Sequence, residues 1–307
     1  MGLFSIFKRK NLTKTEDSLG EAILLTKSNF TSVIVRREIP ETDEFKLEKL
    51  FVEPGKYFRQ NQTIMTLGSQ IHGSGILFVR LPFGGRVEKI HLDKENLVGM
   101  NKQVLSVTRI EDLSELYSKL LEQNIEKLDQ TEISILSDDF TGEKTIKFTK
   151  VAGEDTSYFK LYRNDTDSIY EYLGMSFINY NGVSYLSFLS IVKEFSLAKG
   201  DSITFLFDNK EGLELVFNSS SSGESGRKSN YIQLTSEHLN IFLNKNLVKA
   251  KIVSSRKNLY DVYVLDNKVY ENEISTDSAQ YLTEKEGQYL LKMMTSKFIK
   301  MNLENKL

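Results

Sequence analysis

Leu81-Pro82-Phe83-Gly84-Gly85-Arg86-Val87 lies between two stretches of sequence that match each other 40 positions apart. The first copy is 52–67, VEPGKYFRQNQTIMTL, and the second is 92–107, LDKENLVGMNKQVLSV. Asn61 and Asn101 occupy matching positions, and asparagine tolerates the left-handed backbone that many tight turns require. A doubled strand–turn–strand unit predicts two half-sheets that cover each other's apolar faces and pair their exposed edges.

The composition is that of a globular protein with room for two domains. The chain has 307 residues, of which 40% are hydrophobic and 27% charged, so each domain can bury a core of its own. Its 40 basic and 42 acidic residues give a formal net charge of −2. A dedicated nucleic-acid binder carries a strong basic surplus, so we expect no nucleic-acid partner.

The sequence offers few residues for catalysis or for metal binding. There is no cysteine, which excludes disulfides, thiolate metal sites and cysteine nucleophiles. Three histidines, His72, His91 and His238, leave little material for a histidine metal site. Phosphate-binding glycine loops and the Gly-x-Ser-x-Gly elbow are missing as well. We therefore assign no catalytic, cofactor-binding or metal-binding residue from the sequence, and expect no cofactor.

Acidic pairs are a further candidate for metal ligation. They occur at Asp138-Asp139, Glu154-Asp155 and Asp165-x-Asp167. None has the loop spacing or the downstream glutamate of an EF-hand. We interpret all three as solvated turn carboxylates.

The start of the chain, MGLFSIFKRK, places apolar residues before basic ones. A secretory signal has the opposite order, and Ile6 occupies the position where myristoylation needs serine or threonine. No stretch approaches 18 apolar residues, so no transmembrane helix is expected. We predict a flexible lead over 1–22 and a cytoplasmic protein, with contact between this apolar-basic start and a membrane surface as an open alternative.

The rest of the chain divides by the period of its apolar residues. Residues 23–110 predict the doubled β domain. Leu113, Leu116 and Leu120 begin an apolar stripe of helical period, and Asp112 can cap its first turn, so 111–130 predicts a connecting amphipathic helix. Residues 131–307 predict an α+β domain, an antiparallel sheet with a hairpin turn at Asn181-Gly182 and a closing helix over about 276–301. The predicted fold class is mainly β with an α+β second domain.

Residues 45–110 resemble the biotinyl/lipoyl domain, which is a barrel-sandwich hybrid. The family's Val-x-x-Gly-x-x-Val half-turn appears as Val52-Glu53-Pro54-Gly55-Lys56-Tyr57-Phe58, and its central turn as Pro82-Phe83-Gly84-Gly85-Arg86-Val87. Phe58 departs from the family valine. The remainder of the chain resembles α+β bacterial modules of unassigned function, which imply no activity.

The resemblance also marks where a carrier domain would hold its lysine. In carrier members the modified lysine lies eight residues before the turn proline, a position that Ser74 occupies within Gly73-Ser74-Gly75. No lysine occurs from Tyr57 to Glu88. A serine hydroxyl cannot form the amide that attaches biotin or lipoate, so covalent biotin or lipoate is not expected.

These observations favour a non-catalytic docking or adaptor protein that uses the unmodified barrel as an interaction module for a protein partner. One alternative is a membrane-associated adaptor of the membrane-fusion type, whose barrels also lack the lysine. The other is an enzyme or phosphocarrier with a site between the domains. Some sugar-phosphotransferase proteins with hybrid barrels use facing histidines, and His72 and His91 are the residues that would serve here.

Overall fold

The computed structural model describes residues 21–24, 30–32, 44–69, 76–92, 95, 97–164, 171–190, 198–220, 228–254, 259–265 and 282–305. Of the lead predicted over 1–22, residues 1–20 lie outside them, whereas Glu21 and Ala22 belong to a strand. Over the described residues the protein is mainly β, with 49% strand, three helices and several antiparallel sheets. The chain forms two compact units, 1–111 and 112–307.

The first unit consists of two antiparallel sheets. Its strands are β1 (Glu21–Leu24), β2 (Phe30–Ser32), β3 (Glu44–Leu50), β4 (Tyr57–Phe58), β5 (Thr63–Ser69), β6 (Ile76–Arg80), β7 (Gly85–Ile90), β8 (Val98–Gly99) and β9 (Gln103–Arg109). One sheet has the order β1-β9-β7-β4 and the other β2-β6-β5-β3-β8.

The two half-motifs fold alike, with matching positions 40 residues apart. β3 pairs with β5 and β8, as β7 pairs with β9 and β4. The β3–β5 pair changes register between Leu47 and Lys49, and the β7–β9 pair between Val87 and Lys89. Such an irregularity inserts one extra residue and bends the strand. Both halves therefore bend at the same place.

The equivalence continues in the backbone beyond each bend. Phe51 N donates to Ile64 O at 2.9 Å, and the matching His91 N donates to Val104 O at 3.0 Å. Two buried polar side chains, Thr66 and Ser106, also occupy matching positions. The repeat that the sequence shows is thus a repeat of hydrogen bonding and burial.

Asparagine forms the matching turn in each half. Asn61 has φ of 58° and Asn101 has φ of 62°, which is the left-handed region that most residues avoid. The prediction that asparagine supplies this geometry at both turns is confirmed.

Both sheets contribute to one apolar core. Each half-sheet turns its alternate residues toward this core, including Phe45 and Leu67 from one sheet and Val87 and Val107 from the other. All four side chains are fully buried. The two sheets therefore bury their apolar faces in a shared core.

We predict that alanine at either turn asparagine destabilises the first unit by about 1 kcal/mol, because a side chain without asparagine's local hydrogen bonding is strained in the left-handed region. Asn61→Ala and Asn101→Ala should lose similar stability in urea unfolding. The matched controls Asn61→Gly and Asn101→Gly should stay close to wild type, since glycine adopts this backbone freely. Alanine variants as stable as the glycine variants would contradict the equivalence of the turns.

The second unit contains three helices and ten strands among the described residues. Its elements are α1 (Leu113–Asp129), β10 (Glu132–Ser137), β11 (Lys144–Lys150), β12 (Phe159–Arg163), β13 (Tyr172–Tyr180), β14 (Val183–Ser190), β15 (Ser202–Phe207), β16 (Gly212–Val216), β17 (Lys228–Gln233), α2 (Ser236–Asn244), β18 (Leu247–Ser254), β19 (Leu259–Val264) and α3 (Glu284–Glu304). All strand pairs are antiparallel.

The sheet of the second unit branches at β13. One edge of β13 pairs with β14, which in turn pairs with β17. On its other edge, the first residues of β13 pair with β12 and its last residues with β11. From there one branch continues through β19, β18, β15 and β16, and the other ends at β10. The hairpin predicted at Asn181-Gly182 joins β13 to β14 and is confirmed, with φ of 47° and 85°.

Helices α2 and α3 cover an aromatic core. The ring of Phe242 in α2 lies 5.0 Å from Phe205, 5.9 Å from Phe207 and 5.8 Å from Phe177, measured between centroids. Phe298 in α3 stacks 5.5 Å from Phe177. The predicted start of the closing helix near Thr276 is wrong. The helix begins at Glu284 because Thr283 caps it, its side chain accepting from Glu286 N.

Helix α1 belongs to the second unit, where it packs beside α3. As predicted, Asp112 caps it, with its Oδ1 accepting from Ser114 N at 2.8 Å. Asn124 Nδ2 donates to Glu286 Oε1 at 2.6 Å. Glu286 is 1% exposed and also accepts from Thr283 through its other carboxylate oxygen. A buried carboxylate thus fixes α1 against α3.

We predict that Asn124→Ala destabilises the protein by about 1–3 kcal/mol, because it leaves a buried oxygen of Glu286 without its donor. Glu126→Ala, at an exposed position of the same helix, is the matched control and should change stability by about 0.5 kcal/mol or less. Thermal or urea unfolding of both variants measures the difference. Equal stabilities would show that Asn124 does not hold the helices together.

A second contact between the same helices predicts a pH dependence. Tyr289 OH donates to Asp129 Oδ1 at 2.6 Å. That bond, with burial and the carboxylate charge adding to it, raises the pKa of Tyr289 from 10.0 to about 12. Because the folded pKa lies above the unfolded one, the contact's stabilisation is present below pH 10 and is lost as pH rises through about 12.

We predict that Asp129→Asn returns the pKa of Tyr289 toward 10.0, because the amide carries no charge to oppose the phenolate. NMR titration of protein with isotope-labelled tyrosine rings follows the ionisation directly. Glu126→Gln is the control and should leave the pKa unchanged. A Tyr289 pKa that is insensitive to Asp129→Asn would contradict this assignment of cause.

Candidate functional site

The position that corresponds to the carrier lysine falls in the connection between β5 and β6. These strands pair antiparallel, with Thr66 opposite Phe78 and Gly68 opposite Ile76. Ser74 and its flanking glycines lie in the connection, outside the described residues, and so does His72. Because His72 is not among the described residues, the structure does not test whether it lies close to His91.

His91 is exposed and hydrogen-bonded to neutral side chains. Its Nε2 lies 2.8 Å from Ser106 Oγ and 3.1 Å from Gln103 Nε2, and Gln103 Nε2 also donates to Ser106 Oγ at 3.0 Å. The described bonds of this imidazole include no carboxylate. A catalytic or phosphoryl-accepting histidine normally has its ring oriented by a third group, often a carboxylate. These hydrogen bonds join β9 to His91, the residue that follows β7.

Asp138 uses its carboxylate in a turn. Its Oδ1 accepts from Phe140 N at 2.8 Å and from Thr141 N at 2.9 Å. These backbone bonds lower the pKa of Asp138. The carboxylate therefore organises the connection between β10 and β11, in agreement with the turn predicted for this acidic pair.

The other acidic pairs give no metal centre within the described residues. Glu154 lies 3.8 Å from the Lys127 ammonium, whereas Asp165 and Asp167 lie outside the described part of the chain. Among the residues that are described, no group of three or more histidines and carboxylates could hold a metal ion.

A partly buried ionic cluster in the second unit was missed by sequence reasoning. Arg163 Nη2 lies 3.2 Å from Asp261 Oδ1, and its Nη1 lies 3.1 Å from Glu171 Oε2. Asp261 is 7% exposed. Arg163 and Asp261 come together only because β12 pairs with β19. They are far apart in the sequence, so no local spacing of residues predicts the cluster. Each of its two carboxylates pairs with the one guanidinium, and we interpret the cluster as structural.

The second unit also has a groove of mixed polarity between α2, the end of α3 and the β13–β14 turn. Its volume is about 770 Å³. Leu234, Leu239 and Ile299 supply apolar lining, and Asn302 Nδ2 lies 3.5 Å from Ser184 Oγ. The groove is large enough for a small ligand, but its lining brings together no acid–base pair.

Exposed apolar side chains mark both units. On the strands and turns of the first unit they are Leu24, Phe51, Ile76 and Leu97, each between 38% and 48% exposed. Lys49 Nζ lies 4.8 Å from the ring centre of Phe51, a cation–π contact. In the second unit Phe140 is 99% exposed at the tip of the β10–β11 hairpin. Such side chains are contact points for other proteins when they occur together.

No family model, no curated protein and no solved structure matches this chain. Among the helices of the described residues, none is long and apolar enough to cross a membrane. The functional conclusion therefore depends on the chain's own residues.

Proposed function

We propose that the first unit is a lipoyl-like barrel without a modifiable lysine, and that the protein is a non-catalytic docking or adaptor protein. The observation that carries the proposal is the repeated half-sheet, with its bends at Glu48 and Glu88 and its turns at Asn61 and Asn101. Two equivalent halves around one core are what the resemblance to the barrel-sandwich hybrid implies. Ser74 at the attachment position favours use of the barrel without a cofactor.

The contacts of His91 favour docking over phosphoryl transfer. Its Nε2 already has Ser106 and Gln103 as partners, and both are neutral. The matching position in the other half holds Phe51, which has no chemistry to share with a histidine. We therefore interpret His91 as a structural residue at the rim of the proposed barrel, at the position that Phe51 has in the other half.

The barrel has the exposed side chains that a docking surface needs. Phe51 and Leu97 are large, apolar and more than a third exposed, and burial of apolar area is the dominant favourable contribution to most protein–protein association. Neither residue belongs to the shared core of the two sheets. Replacing them should therefore weaken docking without unfolding the barrel.

We predict that Phe51→Ser or Leu97→Ser lowers capture of the protein's partner by fivefold or more, because each change removes apolar contact area. The measurement is affinity capture from native lysate with the full chain, quantified by mass spectrometry. Glu53→Ser and Lys102→Ser, at exposed polar positions of the same barrel, are matched controls that should capture as wild type does. Circular dichroism checks that all four variants are folded.

Capture that is equal for all four variants would remove the barrel from the docking site. Phosphate incorporation at His72 or His91 of the wild-type protein would replace the docking proposal with a phosphocarrier, and His91→Ala with unchanged partner capture would exclude a role for that imidazole. Recovery of the wild-type protein in the membrane fraction would favour the membrane-fusion type of adaptor.

A further inference from the structure

Strand β10 ends its branch of the second unit's sheet. It pairs with β11 on one side, and no described strand pairs with its other side. Ile135 is 38% exposed and Leu136 is 46% exposed, and they point to opposite faces because strand side chains alternate. The strand therefore offers apolar surface on both faces beside an open row of backbone groups.

This edge has little of the protection that edge strands usually carry. From Ile133 to Ser137 the sequence is Ile-Ser-Ile-Leu-Ser, without charge or proline. The irregularity in its pairing lies at its start, between Glu132 and Ile133. Soluble proteins normally place lysine, proline or a central bulge on an exposed edge to prevent pairing with another chain.

The side chains of β10 are complementary to a second copy of themselves in one register. Antiparallel pairing about a two-fold axis at Ser134 places Ile133 opposite Ile135 of the other copy, on the face that covers the core. On the other face it places Glu132 opposite Leu136. Moving the axis to Ile135 instead places Ile133 opposite Ser137 and leaves one isoleucine pair, Ile135 with its own copy. The apolar pattern thus favours Ser134 as the centre.

A rigid turn extends this surface beyond the strand. Asp138 caps the backbone of Phe140 and Thr141, Gly142 N donates to Asp138 O at 2.8 Å, and Gly142 has φ of 71°. The turn holds Phe140 out, 99% exposed. In the Ser134 register Phe140 lies beyond the paired residues 131–137, so one phenyl group stands at each end of the paired strands.

We propose that this chain forms a homodimer in which β10 of one copy pairs antiparallel with β10 of a second copy, centred on Ser134, so that two sheets become one. The contact is a single strand pair with two flanking phenylalanines. That is less than the roughly 1,200–2,000 Å² that a stable interface buries, so the dimer is reversible and depends on concentration. The proposal concerns the second unit and does not depend on the docking function of the barrel.

The chain contains no cysteine, which makes a single introduced thiol a specific probe of the register. Residues directly opposite in an antiparallel pair have Cα atoms about 4.5–5.5 Å apart, within the range that a disulfide spans. Ser134→Cys of the full chain should therefore form a disulfide-linked dimer under mild oxidation. Ser137→Cys is the matched control on the same strand and should cross-link at least tenfold more slowly, because its partner residue is Thr131.

Sedimentation equilibrium of the wild-type protein should show a mass that rises toward the dimer as concentration increases to about 100 μM, a range typical of weak interfaces. Leu136→Glu should raise the dimer dissociation constant tenfold or more, because it places a second carboxylate opposite Glu132. A wild-type protein that stays monomeric over this range overturns the proposal. This result is also the one expected if the edge of β10 pairs with a different protein instead of a second copy. Equal cross-linking rates for Ser134→Cys and Ser137→Cys would also overturn it.

Discussion

The first unit depends on one constraint, that neither half-sheet can bury its apolar face without the other. Each half supplies the same strands in the same order, and the bends at Glu48 and Glu88 curve both around the shared core. Fully buried residues such as Phe45 and Val107 are then removed from water by side chains of the opposite sheet as well as their own. A change in one half therefore affects the stability of both.

The same constraint shapes what the first unit can do. Its interior is filled by side chains, so partners and ligands must use the outside. Under the proposal that this unit is lipoyl-like, Ser74 stands where a carrier domain has its lysine on an exposed hairpin, and the exposed apolar residues lie elsewhere on the strands and turns. The proposed docking role therefore depends on the outer surface of the two equivalent halves.

Local chemistry explains which predictions from sequence were correct. The turns at Asn61 and Asn101 were predicted correctly because asparagine favours the local backbone conformation that such a turn needs. The helix cap at Asp112 and the hairpin at Asn181-Gly182 also depend on local backbone preferences, and they were predicted for the same reason. The bends at Glu48 and Glu88 were not, because each strand is short and the extra residue shifts its apolar alternation only once, from Leu47 to Leu50 and from Val87 to Ile90. The Arg163–Asp261 pair and the exposed edge of β10 depend on which strands become neighbours, and only the assembled sheet decides that. The start of α3 was misplaced because apolar periodicity continued past Thr283, where the capping hydrogen bonds begin the helix.

The most direct test of the docking account is site-specific photo-crosslinking of the full chain in its native cells. A photoreactive amino acid at Leu97 in the barrel is compared with the same group at Tyr260, an exposed position of the second unit. The account predicts a covalent adduct to one protein from the barrel position and none to that protein from Tyr260. The absence of any protein adduct from the barrel, with turnover of a small molecule by the purified chain, would contradict it.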